Sequence, residues 1–73
     1  MITEVIAMLG DLIRESRKKM GYTQKQLGLL CGYNETSAER VVQYWEGNKR
    51  EVPLSKVRAL AKALEIPLDS LIP

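Results

Sequence analysis

Apolar residues recur along the chain at spacings of three and four, with charged residues filling the positions between. Val5, Ile6, Leu9, Leu12 and Ile13, closed by Met20, mark one face of a first helix. Arg14, Glu15, Arg17, Lys18 and Lys19 take much of the remainder, and the basic ones suit a helix's last turn. Gly21 is a plausible stop. The start is open: Thr3 and Asp11 are both possible caps, and Gly10 weakens the middle. A second helix starts sharply at Thr23-Gln24-Lys25-Gln26, a capping box in which the Thr hydroxyl and the Gln side chain each satisfy a free backbone amide. It carries Leu27 and Leu30 inward and ends near Cys31-Gly32. Gly28, in mid-helix, costs roughly 1 kcal/mol against Ala, which points to a close approach by another helix.

Thr36-Ser37-Ala38-Glu39 has the same capping pattern and predicts that a third helix begins at Ser37. Ala38, Val42 and Trp45 then share one face, and Glu39, Arg40, Gln43 and Tyr44 share the other. Tyr33 to Thr36 form a long turn between helices two and three. After Gly47 comes a basic turn, NKREV, and Pro53 suits the first position of a fourth helix. Its inward stripe is Leu54, Val57, Leu60, Ala61 and Leu64. Pro67 can open a last short helix with Leu68, Leu71 and Ile72 facing in.

At 73 residues the chain is expected to be one domain with a small core. The single Cys31 excludes an internal disulfide and fits a reducing cytosolic setting. It stands at a small-residue position with no histidine to activate it, so a buried inert thiol is expected rather than a redox sensor. No histidine and one cysteine leave no zinc site of the common ligand types, and no cofactor is expected. Apolar runs fall short of the ~20 residues of a membrane span, and the N-terminal MITEVIAMLG lacks the features of a secretory signal. The net charge of +2 is modest, so the placement of the basic residues decides more than their sum.

Arg17, then Gly21-Tyr22-Thr23-Gln24 with Leu27-Gly28, Gly32, VQYWEGNKR and LAKALEIPLDSLI, resemble the phage-repressor and Cro (XRE-type) helix-turn-helix family. The similarity covers roughly residues 9 to 72. It implies an all-α, compact five-helix bundle of the lambda-repressor-like DNA-binding type, with helices two and three as the motif. Residues 1–73 then form one DNA-binding domain, with 1–8 an extra N-terminal segment of helix one. This sequence departs from the pattern in three places. The turn before helix three is about four residues longer, Gly28 stands where Ala is usual, and Glu65 replaces a helix-ending Gly.

In such an arrangement helix three enters the major groove. Arg40 can bond bidentately to guanine and Gln43 to adenine, while Glu39 can accept from cytosine or serve only as a cap. Tyr44 can meet a thymine methyl or a phosphate, and Ser37, at the helix start, joins the candidate surface. A plain solvated helix face is the competing reading of these residues. Thr23, Gln24 and Lys25 stand where free amides favour a phosphate. The resemblance adds Asn48, Lys49 and Arg50 as sugar-phosphate contacts, sets Gln24 against the DNA backbone and helix three, and makes Arg17 and Glu46 a structural ion pair. Spacing assigns Trp45 to the core.

The expected function is sequence-specific binding of double-stranded DNA by a transcriptional regulator, a repressor acting as a homodimer on a palindromic operator. The dimer surface is open between the N-terminal Ile2, Val5 and Met8 and the C-terminal Leu68, Leu71 and Ile72, with the C-terminal set favoured. The alternative is an antitoxin-like or other protein-interaction module whose helix-turn-helix reads no DNA. No small-molecule ligand and no membrane partner are expected. Without histidine, a paired-carboxylate pocket or a phosphate-cradling loop, an enzyme is not expected either.

Overall fold

A computed structural model describes the backbone of residues 2–71 and the side chains of residues 9–71. Among the described residues, α1 (Ile2–Met20), α2 (Gln24–Leu30), α3 (Ala38–Glu46) and α4 (Leu54–Leu64) precede a 3-10 turn at Leu68–Ser70. The expected fifth helix is therefore one short turn. Pro67 flanks it with extended backbone. Ile13, Leu27, Cys31, Val42, Trp45, Val57, Leu60, Ala61, Leu64 and Leu71 make one core to which each of the four α-helices contributes.

The four helices stop in the same way. At each end a residue in the left-handed region lets the chain reverse, and its own amide and the next one donate back to the last turn. Gly21 and Gly32 do this with φ of 80° and 94°, at no steric cost. Asn48 (φ 57°) ends α3, with Lys49 N donating to Tyr44 O at 2.9 Å. Glu65 (φ 55°) ends α4, with Ile66 N donating to Ala61 O at 3.1 Å.

Several local expectations change. Neither Thr3 nor Asp11 caps α1: the helix already runs from Ile2, and Asp11 inside it pairs with Arg14 at 2.7 Å. Gly10 marks a contact, since a Cβ there would lie 2.6 Å from Glu46 O and from Asn48 Oδ1. Leu30 is 53% exposed and Leu54 84% exposed, so neither points into the core. Leu54 is the first residue of its helix, before the turn that buries Val57, and Pro53 is its cap rather than its first member. Met20 and Leu68 are half-buried and Leu71 is buried; Ile72, and the side chains of Ile2, Val5, Ile6 and Met8, lie outside the described residues.

The box proposed at Thr36–Glu39 does not form. Ser37 makes no side-chain capping bond, and helix begins at Ala38. Asn34 takes over: its Oδ1 accepts from Ser37 N (3.1 Å), Ser37 Oγ (2.9 Å) and Thr36 Oγ1 (2.7 Å). A short side-chain carbonyl can mimic a backbone turn in this way. Cys31 is 3% exposed, and burial pushes its thiol up to about 11, against a smaller opposing pull from Lys56.

Gly28 is buried where α2 and α3 cross. A Cβ there would press on Ala38, 2.7 Å from its Cα and 2.6 Å from its carbonyl carbon. Gly28→Ala should therefore lower the unfolding free energy by about 1–3 kcal/mol, despite the better helix propensity of Ala. Glu65→Gly should do the reverse and add about 1 kcal/mol, because only an L side chain is penalised in that conformation. Urea titrations of both variants check this; a stabilised Gly28→Ala protein would mean the helices stand further apart.

Candidate nucleic-acid interface

The site is built on α3, and its two faces have separate tasks. Ala38, Val42 and Trp45 are buried at 0%, 0% and 3% exposure. Tyr33 meets Trp45 edge-on with ring centroids 5.7 Å apart, and Lys56 Nζ lies 4.9 Å from the centre of the Tyr33 ring. Burial, and then the nearby Cys31, push the Tyr33 hydroxyl above its ordinary pKa. The α2–α3 turn is thus held at Tyr33 by packing and at Asn34 by hydrogen bonds.

Outward, Glu39, Arg40 and Gln43 are exposed along one side of the helix. Tyr44 is half-buried, with the Arg50 guanidinium 5.2 Å from its ring centre. Lys49 and Arg50 are exposed just past the helix end. Tyr33, Arg40, Tyr44 and Arg50 line a cleft along this flank. The surface therefore offers guanidinium and amide groups in front and two cations at its edge, a donor set suited to base edges and phosphates.

Behind that surface lies the buried ion pair. Arg17 Nε donates to Glu46 Oε2 at 2.6 Å and Nη2 to Glu46 Oε1 at 3.3 Å, while Nη1 donates to Tyr22 O at 3.0 Å. The two side chains are 12% and 5% exposed. Gln24, half-buried at the start of α2, donates from Nε2 to Glu46 Oε1 at 3.2 Å and accepts from Gln43 Nε2 at 3.3 Å.

The remaining candidates are placed less simply. The Thr23 hydroxyl accepts from Gln26 N at 3.0 Å, and Gln26 returns the bond to Thr23 N at 2.8 Å, so the α2 capping box is closed. Lys25 is exposed, 4.0 Å from Glu35. Ser37 is half-buried and tied to Asn34. Asn48 turns its Oδ1 to Gly10 N at 3.2 Å, which joins the α3 end to α1. Asn34 and Gly10 were missed as positioning residues. An Asn opening a turn was a usable signal for the first; the second needs a contact across 38 residues that no local pattern carries.

The sequence model of the helix-turn-helix family matches residues 13–71. The chain belongs to that family, in its Cro and phage-repressor branch. This membership is that of DNA-binding regulators of transcription, a class defined by binding rather than catalysis. No curated protein and no solved structure matches the chain. Among the described residues, no helix is long and apolar enough to cross a membrane.

Arg17→Ala should cost about 3–5 kcal/mol of stability, because the Glu46 carboxylate would stay buried without its partner. The double variant Arg17→Met with Glu46→Met, which removes both charges, should recover most of that loss. Thermal unfolding of the three proteins checks it; equal stability of Arg17→Ala and the parent would remove the pair from the framework.

Proposed function

We propose that the protein is a repressor that reads a palindromic operator as a homodimer, with α3 of each copy in the major groove. The observation that carries this is the split of α3 into a buried face at Ala38, Val42 and Trp45 and an exposed face at Glu39, Arg40 and Gln43. Family membership supplies the context. Arg40 pairs with guanine and Gln43 with adenine, the acceptor and donor patterns those side chains match. Glu39 accepts from cytosine at the near edge. Tyr44, Lys49 and Arg50 hold the sugar-phosphate chain beside the cleft, and Thr23, Gln24 and Lys25 hold it at the start of α2, with Ser37 at the groove margin. Asn48 serves that edge through the turn it shapes. Two copies set their helices one turn of the duplex apart, ~34–36 Å, on one side. The C-terminal segment around the half-buried Leu68 is the proposed contact between copies. The compartment is the cytoplasm, which suits an unpaired thiol.

A second reading has its own observation. Leu29 and Leu30 are 40% and 53% exposed, more apolar surface than a lone binding domain requires, and this favours a protein partner. Salt separates the two readings. Each phosphate neutralised by a cation releases counterions, so DNA affinity falls steeply with added salt.

Selection from a random duplex pool at physiological salt should return a two-fold symmetric site. Arg40→Ala should cost about 1–3 kcal/mol at one base position per half-site. Lys49→Ala should weaken all sequences alike and reduce the salt slope by about 1. Absence of duplex binding even at low salt would transfer the protein to the second reading.

A further inference from the structure

We propose that Glu46 and Gln24 are specificity-determining positioning residues, which fix the direction in which the Gln43 amide presents its donor and acceptor. The inference rests on the DNA reading proposed above and goes beyond it, because neither group needs to touch a base.

An amide side chain can turn over and exchange its oxygen and nitrogen at little cost, unless a neighbour accepts only one orientation. Glu46 is that neighbour. Its carboxylate, 5% exposed and paired with Arg17, can only accept hydrogen bonds. Gln24 therefore has to direct its NH2 at Glu46 Oε1, as observed at 3.2 Å. Its Oε1 is left facing α3 and accepts from Gln43 Nε2 at 3.3 Å. Polarity set by a buried charge thus passes through Gln24 to Gln43 on the exposed face.

The amide of Gln43 has two N–H bonds. One of them goes to Gln24 Oε1, and under this proposal the other, together with Oε1, makes up the outward edge. That edge carries an acceptor and a donor in one fixed order. Adenine presents N6–H and N7 as one donor and one acceptor, so a fixed order matches it in a single approach. Guanine offers two acceptors there and satisfies only half of the edge. With the relay broken, Gln43 can turn over and present that order reversed, with its oxygen against adenine N7 and its NH2 able to meet a lone acceptor such as thymine O4, so discrimination at that position declines.

The test is selection from a random duplex pool, with full-length variants and the parent run together. Glu46→Gln gives the buried end an NH2 of its own, so Gln24 is no longer obliged to donate. Gln24→Met removes the middle of the relay and leaves the ion pair in place. Each should reduce discrimination about tenfold at one base position per half-site while the other positions keep their preferences. Val57→Ala, which loosens the core without touching the amides, should keep the parent's preferences throughout. Parent-like discrimination by folded Gln24→Met protein overturns the relay, and so does a matching loss in Val57→Ala. A parent that selects nothing at all removes the DNA reading itself, which is a different failure.

Discussion

The Arg17 guanidinium is the constraint on which the arrangement of helices depends. It belongs to the last turn of α1, bonds to the carbonyl of Tyr22 just before α2, and forks onto Glu46 in the last turn of α3. One planar group with fixed donor directions thereby joins three helices within hydrogen-bond distance. Burying such a pair has a desolvation cost that its attraction does little more than offset. Its effect is on arrangement: any packing that separates the end of α3 from the end of α1 leaves a buried carboxylate unpaired. A small core of aliphatic side chains tolerates many packings, and a buried ion pair tolerates few.

The same region holds α1 and α3 together twice. Gly10 admits Glu46 O and the Asn48 side chain to the α1 surface, where a Cβ would collide with both. Asn48 bonds to Gly10 N with its side chain and supplies the left-handed turn with its backbone. The position and tilt of α3 are therefore set from its carboxyl end by α1. From its amino end they are set by Gly28 and by the Tyr33–Asn34 turn. A helix fixed at both ends holds its outward side chains in a constant frame, as reading a rigid duplex requires.

Much of this was legible in the sequence, for identifiable reasons. The capping box at Thr23, the breaks at Gly21, Gly32 and Gly47, and the inward faces of α3 and α4 follow from spacing and local backbone chemistry. So did the tight crossing at Gly28, because a glycine in mid-helix has a propensity cost that some contact must justify. The errors share a cause. Leu30 and Leu54 fit the helical stripe, yet they lie at helix ends, where packing leaves them largely exposed. At Thr36 a local motif competed with Asn34, and periodicity has no means of ranking two short polar side chains as caps. Gly10 looked like a weakness because its partners lie at and just past the end of α3, far along the chain.

Glu46 joins the fold to the proposed reading of DNA, and this has a consequence for how such a surface can vary. Exposed residues such as Glu39 and Arg40 can be exchanged at little cost to stability. Gln43 differs: its amide ends a series of hydrogen bonds that begins at a buried charge. Replacing it leaves Gln24 Oε1 facing α3 without its donor, so the change is felt in the framework as well as at the surface. Under the proposed reading, base preference at Arg40 is free to drift, while preference at Gln43 is tied to three other side chains. The reading face thus has a variable part and a constrained part, and the division follows from which outward side chains have a partner behind them.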